Sequence, residues 1–425
     1  MERTGCAVVG GGPAGMMLGL LLARAGVDVA VLEKHGDFLR DFRGDTVHAS
    51  TIRLMDELGL GHGFRALPQS RLQNVAFPVP GAGLVTLADF DSLKPPYNYV
   101  AMMPQWDFLD FLASAAKAEP TFTLLMESEA TGLEFDDGGR VAGVRFRAAG
   151  DTAAGADRVL HADLVVAADG RQSVLRRAAG LSPKEYPVPF DVWWFKLPRR
   201  ASGGSGAAGV VPAFGDREAM IALNRTDYYQ MGYLAPKGAD ARIRAEGVER
   251  FRRRVAALRP DLADSVGSIG SVEDLHWLDV RLNRLRRWHA DGFLCIGDAA
   301  HAMSPAGGVG INLAIQDAVA AARRLAPDLR RGQVRTATLA AVQRRRWMPT
   351  VVVQIVQRTM HRAVFVPLFA GKFPSADAAG NTSRLRQALL FAVRHNPVLR
   401  RILPRVIAFG PLPEHAPGFA RPLTH

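Results

Sequence analysis

Three short motifs have residue types and spacings that could bind a nucleotide. They are Gly10-Gly11-Gly12-Pro13-Ala14-Gly15, Ala168-Asp169-Gly170-Arg171 and Gly297-Asp298-Ala299-Ala300-His301. Glycines let an anionic group approach the backbone closely, and an aspartate that follows a strand can accept hydrogen bonds from sugar hydroxyls. Together the motifs predict one extended dinucleotide, held in a single site by segments that are far apart in sequence.

The first motif lies where a Rossmann βαβ unit would place it. A buried-strand pattern over 6–9 precedes it, an apolar helical pattern over 14–25 follows, and a second strand pattern over 27–32 ends at Glu33. Gly12 would let a pyrophosphate reach the helix N-terminus, and Glu33 would bind a pair of ribose hydroxyls. We therefore predict a Rossmann-type dinucleotide-binding start.

A second glycine run, Gly204-Ser205-Gly206-Ala207-Ala208-Gly209, has similar spacing but a different context. The β-type run that follows it contains Pro212, so no helix offers its N-terminus to a phosphate. We interpret this run as a loop that joins two strands. The sequence thus predicts one dinucleotide fold and no second one for a nicotinamide cofactor.

The other two motifs each follow a buried strand. Apolar runs over 162–168 and 292–296 precede them, and helical patterns follow over 172–179 and 312–325. The loop before the last helix contains Pro305 and several glycines, whose N–H groups can face anionic or carbonyl oxygens. Both segments are predicted to hold further portions of the same ligand.

Length and pattern predict an α/β fold: a Rossmann-type dinucleotide-binding domain with an inserted, mostly antiparallel β substrate domain and a helical C-terminal region. Alternating strand patterns over 71–99 and 187–280 indicate the inserted sheet. The predicted segments are 1–70, 100–180 and 286–330 for the dinucleotide domain, 71–99 and 181–285 for the substrate sheet, and 331–425 for a basic helical region.

The charge of the chain is unevenly distributed. Its net charge is +12, and from Arg330 onward 16 Lys and Arg residues oppose only Asp377 and Glu414. No nucleic-acid-binding motif accompanies this charge, so we expect no nucleic-acid partner. Neither a signal peptide nor a transmembrane segment is predicted, which favours a cytoplasmic protein. Cys6 and Cys295 lie in apolar strand patterns and are predicted to be buried free thiols.

The histidines do not have the paired spacing of metal ligands, so no metal site is expected. The four considered are His276, His289, His301 and His361. His301 is predicted to cap or pack the loop that follows Asp298.

In the order and spacing of its motifs, the chain resembles the FAD-dependent aromatic hydroxylases of the p-hydroxybenzoate hydroxylase type, the group A flavoprotein monooxygenases. Arg43-Gly44 after the second strand and Gln105-Trp106-Asp107-Phe108-Leu109 at a helix start add to the resemblance. It implies FAD as cofactor, NADPH or NADH as reductant and molecular oxygen as co-substrate. A flavin C4a-hydroperoxide would then transfer OH to an aromatic, phenolic small molecule.

The resemblance also implies functions for individual residues. FAD would be bound by Gly10, Gly12, Pro13, Ala14, Gly15, Glu33, Lys34, Arg43, Gln105, Asp169, Gly170, Gly297, Asp298, Gly307, Gly308, Val309, Gly310, Ile311 and Asn312. Arg43 and Pro305 would act beside the flavin. Two positions depart from the pattern: Ser304 stands where relatives often have a second proline, and Gln105 where they often have an arginine.

Further candidates come from position rather than from a motif. His48 could accept a phenolic proton, or it could be only a polar residue where a helix begins. Trp193, Tyr228 and Tyr97 are candidates to line the substrate site, although aromatic residues in strands are more often sheet core. Because strand side chains alternate, Trp193 and Trp194 must face opposite ways.

Other functions stay open at this point. The run Trp193-Trp194-Phe195-Lys196-Leu197-Pro198 has the rhythm of the W-x-W-x-I-P motif of flavin-dependent halogenases, with Phe195 in place of the second tryptophan. An isoprenoid reductase of the same fold and a catalytically silent flavin-binding protein are further alternatives. The protein is expected to be a monomer or homodimer.

The C-terminal region has an apolar helical stripe: Val352, Ile355, Val356, Met360 and Ala363. The opposite stripe is Gln354, Gln357, Arg358, His361 and Arg362. Two interpretations compete: the apolar stripe packs on the protein body, or the region makes peripheral contact with an anionic lipid surface. Packing is the commoner use of such a stripe, so we predict that the apolar side is buried.

Overall fold

The computed structural model describes residues 2–39, 46–79, 83–150, 157–199, 209–210, 212–225, 228–372 and 397–422. Its strands are β1 (Arg3–Val9), β2 (Val29–Leu32), β3 (Thr46–Val47), β4 (Ser70–Leu72), β5 (Asn74–Val79), β6 (Gly83–Asp89), β7 (Val100–Met102), β8 (Phe122–Leu125), β9 (Ser128–Phe135), β10 (Val141–Ala148), β11 (Arg158–Ala167), β12 (Pro183–Tyr186), β13 (Phe190–Pro198), β14 (Gly209–Val210), β15 (Ala213–Gly215), β16 (Glu218–Asn224), β17 (Tyr228–Pro236), β18 (His276–Leu278), β19 (Leu282–Leu285), β20 (His289–Ala290) and β21 (Phe293–Cys295). Its α-helices are α1 (Pro13–Arg24), α2 (Ala49–Glu57), α3 (Gly61–Ala66), α4 (Gln105–Lys117), α5 (Val174–Ala178), α6 (Asp240–Leu258), α7 (Gly310–Leu329), α8 (Thr336–Met360), α9 (Val366–Phe369) and α10 (Pro397–Phe409).

The first motif folds as its residues predict. Pro13 occupies the first turn of α1, where its missing N–H costs no hydrogen bond, and every residue from Ala14 to Ala23 is buried. The chain leaves the helix at Gly26, whose φ of +73° lies in the left-handed region that favours glycine. α1 packs against α4 and α7 and covers the sheet beside it.

An eight-stranded sheet forms the centre of this part of the molecule. Its order is β20-β21-β11-β1-β2-β8, and β10 and β9 extend it from the first half of β11. The strands β21, β11, β1, β2 and β8 are parallel, so their carboxyl ends meet at one edge. Cys6 and Cys295 are buried free thiols within this sheet, as predicted.

A second sheet has the order β15-β16-β17-β13-β18 and is antiparallel throughout. α6 covers one of its faces and forms with it a core that includes Trp193, Phe195 and Tyr233. We call the opposite face the inner face. By strand alternation and register, its central side chains are Trp194, Lys196, Ile221, Leu223 and Gln230.

The predicted fold class is confirmed: a Rossmann-type α/β domain, an inserted antiparallel sheet and helices in the C-terminal region. The limits given above for the individual domains stay a prediction. Of the second glycine run, residues 204–208 lie outside the described residues. The last residue of that run, Gly209, begins β14, which pairs with β5.

The predicted orientation of α8 is wrong. Its polar stripe faces inward, with Gln354 at 1%, Gln357 at 2% and the following His361 at 2% exposure, whereas Ile355 and Val356 are 52% and 57% exposed. The polar side chains are buried because each one hydrogen-bonds to a neighbouring segment of the chain. Polar burial with specific partners therefore decided the orientation, and apolar periodicity did not.

Candidate active site

The three motifs meet at the edge where the parallel strands end. An ideal Cβ on Gly10 would lie 2.4 Å from the carbonyl oxygen of Ala168, so only glycine lets β1 and β11 end this close together. A Cβ on Gly297 would lie 3.2 Å from the Cβ of Ala14 and 3.3 Å from that of Ala314. The turn after β21 is therefore wedged between α1 and α7, and the predicted convergence of the motifs is observed.

Two helix N-termini lie at this edge. Gly12 is the N-cap of α1 and Val309 that of α7, and neither start has a side-chain cap. At Gly12 and at Gly310, no atom of the described chain lies within 4 Å of an ideal Cβ. Uncapped N–H groups beside open space suit the oxygens of an anion or a carbonyl. The two helix starts therefore fit a ligand such as FAD, which has both an anionic pyrophosphate and ring carbonyls.

Glu33 is fixed by the backbone of the first motif. Its side chain is buried, and its Oε2 accepts from the N–H of Gly11 at 2.8 Å while Oε1 accepts from that of His35 at 3.1 Å. A carboxylate oxygen can accept a second hydrogen bond, so the same group can still bind a ribose hydroxyl. Lys34, predicted beside it, is exposed.

The two carboxylate oxygens of Asp169 differ in their hydrogen bonding. Its Oδ2 accepts from the N–H groups of Val174 and Leu175, which begin α5, whereas its buried Oδ1 has no hydrogen-bond partner among the described residues. Burial raises the pKa of this carboxyl. Gly170 follows with a φ of +85°. Asp298, after β21, is half-buried. The unpartnered acceptor of Asp169 fits a hydroxyl of FAD.

We use the name loop 304–312 for the loop before α7 together with the first three residues of that helix; it is tied to the segment that precedes and begins α2. Thr46 donates from Oγ1 to the carbonyl of Gly308 at 2.7 Å. A Cβ on Gly308 would lie 2.5 Å from Oγ1 of Thr46. Asn312 accepts at Oδ1 from the N–H of His48 and from Oγ1 of Thr51. The N–H of Gly308 also closes a turn onto the carbonyl of Pro305.

α8 holds the other end of this loop. Gln357 accepts from the N–H of Ser304 at 3.2 Å and donates to the carbonyls of Ser304 and Ala306 at 2.8 and 2.9 Å. Nε2 of His361 lies 3.0 Å from Oγ of Ser304. Burial lowers the pKa of His361 to about 4, so its ring is neutral at neutral pH. Ser304, a departure from the family pattern, therefore has specific partners for both its backbone and its side chain.

His48 is buried at the start of α2, beside the same loop. Its Nδ1 lies 2.8 Å from the carbonyl oxygen of Ile407 in α10, so that nitrogen must donate. Burial lowers the pKa of His48, while the carbonyls of Ile407 and Gly308 oppose that shift. Only Nε2 could then accept a phenolic proton. A catalytic role for His48 stays a prediction.

A buried charged cluster braces α7 below its N-terminus. Asp317 accepts from Nε2 of His301 at 2.6 Å, from Nε of Arg346 at 2.9 Å and from the N–H of Gly297 at 3.1 Å. Burial alone would raise the pKa of Asp317, but the hydrogen bonds from His301 and Arg346 hold it below its ordinary value. Arg346, from α8, also lies 3.7 Å from Glu414. His301 is thus part of the support for the Gly297 turn.

The aromatic candidates fall on both faces of the five-stranded sheet. Trp193 is fully buried against α6, and its Nε1 donates to Asp240 at 2.8 Å. The prediction that Trp193 lines the substrate site is therefore corrected, because alternation places its neighbour Trp194 on the inner face instead. Tyr228 lies at one end of that face and lines a cavity of about 160 Å³. Tyr97 is half-buried near Trp194.

Two further predicted site residues contribute little to the description of the site. Gln105 is the first residue of α4 and is half-buried. Arg43 lies outside the described residues. The sequence reasoning did not find Thr46, Asp317, Arg346 or Gln357 as supports of the site. Polar residues at helical spacing within the α8 pattern were the only signal for the last two.

Among the described residues, no group of His, Cys, Asp and Glu has the geometry to hold a metal ion. None of the helices described is both long enough and apolar enough to cross a bilayer.

Known proteins share both the sequence pattern and the fold. A family model described as FAD binding domain matches residues 3–359. The 6-methylpretetramide 4-monooxygenase of Streptomyces rimosus is 34% identical over 413 residues, which cover 96% of this chain and 93% of that protein. A 12-dehydrotetracycline 5-monooxygenase/anhydrotetracycline 6-monooxygenase of the same species is 28% identical over 321 residues, covering 73% of this chain and 60% of that protein.

Solved structures agree on the fold. PqsL of P. aeruginosa in complex with 2-aminobenzoylacetate has a TM-score of 0.73 at 22% identity, covering 88% of this chain and all of that one. The flavin-dependent brominase Bmp2 also has a TM-score of 0.73, at 16% identity over 97% of this chain and 94% of that one. At these identities the likeness shows the fold alone. With the family match over most of its length, the chain belongs to the FAD-binding group A aromatic hydroxylases and is an FAD-dependent monooxygenase.

Proposed function

We propose that this protein hydroxylates a phenolic ring of a fused aromatic polyketide, using NADPH or NADH as reductant. The observation that carries the proposal is the 34% identity over nearly the whole chain to an enzyme named for 6-methylpretetramide. Other relatives are named for anhydrotetracycline and dehydrotetracycline. A substrate of the same chemical class is the simplest interpretation.

Different residues would bind different portions of the FAD cofactor. FAD bound at this site would supply the redox chemistry, using electrons from NAD(P)H and molecular oxygen to hydroxylate the ring. Gly12 and Glu33 would fix its adenosine diphosphate half, and Asp298 its ribityl chain. Loop 304–312 would set the position of the ring system, because Gln357 and Thr46 hold both of its ends.

The inner face of the five-stranded sheet would cover the reacting ring. It presents the indole of Trp194 and the aliphatic side chains of Ile221 and Leu223, which exclude water. Nε2 of His48 is the candidate to accept the phenolic proton. Burial lowers the pKa of His48, which favours the neutral ring that a base requires.

The proposal is tested by substrate-stimulated NAD(P)H oxidation. Purified holoenzyme is mixed with 6-methylpretetramide, other tetracyclic phenols and simple phenols, and products are identified by mass spectrometry. We expect faster oxidation and a product heavier by one oxygen atom with a fused-ring phenol. No stimulation by any aromatic compound would contradict the proposal.

A halogenase is the second candidate, since the brominase Bmp2 shares the fold and the run 193–198 resembles the halogenase motif. Chloride and bromide in the same assay separate the two functions, because a halogenase gives a halogenated product. Loss of a double bond in the product would indicate the reductase alternative.

A further inference from the structure

The inner face of the five-stranded sheet contains two buried polar groups that have no hydrogen-bond partner in the part of the chain that the structure describes. Nε1 of Trp194 and Nε2 of Gln230 are both shielded from solvent, and neither has a hydrogen-bond partner among the described residues. Gln230 is 1% exposed. A buried donor without an acceptor is costly, and native proteins contain few of them. Two on one face of one sheet call for an explanation.

Register places these two groups close to each other. Trp194 pairs with Gly232, and Gln230 lies two residues before Gly232 on the same strand. They are therefore diagonal neighbours on one face, about 7 Å apart at their backbones. The indole of Trp194 lies over Gly232, where a Cβ would come within 2.8 Å of the ring. Glycine at this position lets the ring lie flat along the sheet.

The surroundings are those of an aromatic ligand. Trp194 packs against two apolar clusters, one of which also contacts Ala306 of the loop before α7, while the other includes Met102. A cavity lined by Tyr228 and Met102, and also by polar residues that include Asp107 and Arg225, begins two residues along β17 from Gln230. Its volume of about 160 Å³ is close to the roughly 150 Å³ of an engineered cavity that takes up benzene. One aromatic ring would fit there, and the fused rings of the proposed substrate would extend from it along the inner face.

We propose that Trp194 and Gln230 form a polar subsite that binds oxygen acceptors, carbonyl or phenolate, on the fused-ring substrate. The inference rests on the proposed function and specifies its substrate as an oxygenated ring system rather than a hydrocarbon. The ligand's oxygens supply the acceptors that the protein itself lacks. A ligand without them would leave both donors buried and unpaired, and such sites reject deoxygenated analogues strongly.

A matched pair of tryptophan variants tests this subsite. Trp194→Phe removes a donor that has no partner in the protein, whereas Trp193→Phe removes one that bonds to Asp240 on the opposite face. Gln230→Leu removes the second free donor at nearly constant volume. Each variant is made in the full-length, FAD-loaded protein. Dissociation constants for 6-methylpretetramide, 1,8-dihydroxyanthraquinone and anthracene are measured by equilibrium dialysis, and melting temperatures are measured without ligand.

The subsite predicts opposite results for the two faces. Wild-type protein should bind an oxygenated probe at least about tenfold more tightly than anthracene. Trp194→Phe and Gln230→Leu should each weaken that binding about tenfold or more while leaving the melting temperature unchanged or higher, because a buried unpaired donor is gone. Trp193→Phe should lower the melting temperature and leave the dissociation constants unchanged.

Several results would overturn the proposal. They are unchanged binding in both inner-face variants, a fall in their melting temperatures that matches that of Trp193→Phe, or wild-type protein that binds neither oxygenated probe. The same measurements distinguish a failure of the proposed subsite from a failure of the proposed function. Normal binding by the variants together with hydroxylation by the wild type removes only the subsite, whereas weakened binding without any oxygen transfer removes only the hydroxylase function.

Discussion

The two glycine-containing loops that precede α1 and α7 are built by different means. Loop 10–15 is fixed by its own backbone and by the strands beside it: Gly10 lies against Ala168, and Gly11 donates to Glu33. Loop 304–312 is held from outside, by Thr46 at one end and Gln357 at the other. We therefore expect changes in the first loop to affect FAD binding, and changes in the second to affect the placement of the flavin ring.

The largest effects are expected in the first loop. A Cβ on Gly15 would lie 1.9 Å from the carbonyl oxygen of Gly10, so Gly15→Ala should cost about 3 kcal/mol or more and yield little folded protein. Gly12→Val should fold, because open space surrounds that Cβ, but the branched side chain would occupy the place of the pyrophosphate. Chemical denaturation measures the stability of each variant, and the ratio of flavin to protein absorbance measures its FAD content. A folded Gly12→Val protein with full FAD content would refute this assignment.

The next effect concerns the brace of α7. Arg346→Met removes the arginine from a fully buried pair with Asp317 and should cost about 3 kcal/mol in the free energy of unfolding. Arg345→Met is the control, since Arg345 is partly exposed and its partner Glu414 keeps a contact with Arg323; about 1 kcal/mol is expected. Urea denaturation compares them. Equal losses in the two variants would show that the cluster does not brace the helix.

A change in the second loop should affect chemistry more than FAD binding. Gln357→Leu leaves the N–H and carbonyl of Ser304 unpaired, which should cost about 2 kcal/mol and shift the loop. NADPH should then be consumed with release of hydrogen peroxide in place of product. Gln343→Leu, at another position on α8, loses its hydrogen bonds to the N–H of Trp288 and the carbonyl of Arg286; it should destabilise similarly and stay coupled. If both variants kept full coupling, the loop's proposed role would be wrong.

The smallest effect is a pH dependence. Because burial lowers the pKa of His361 to about 4, the folded protein binds fewer protons at this site than the unfolded chain. The contribution of neutral His361 to the free energy of unfolding is complete above pH 6.5 and is lost as the pH falls toward 4. The loss is about 1 kcal/mol between pH 6.5 and 5.5. His361→Asn should flatten this part of the stability profile. A profile that is identical in wild type and variant would contradict the assignment.

Local sequence signals were enough to predict the first loop. The glycines, the strand, α1 and Glu33 are close together in sequence, and their geometry follows from their own residues. Alternation predicted that Trp193 and Trp194 face opposite ways, but it could not choose which side meets α6. The inward orientation of the polar face of α8 could not be predicted either, because Gln354 and Gln357 are buried where they donate hydrogen bonds to the carbonyls of Asn283 and Ser304. Long-range hydrogen bonds have no periodic signature in the sequence.

Oxygen labelling is the most direct test of the function that these two loops are proposed to serve. The holoenzyme is supplied with NADPH, 6-methylpretetramide or the best substrate of the phenol panel, and ¹⁸O₂, and the product is examined by mass spectrometry. We predict one labelled oxygen atom per product molecule, attached to an aromatic carbon. A product whose new oxygen comes from water, or one that gains a halogen instead, would contradict the assignment as an aromatic hydroxylase.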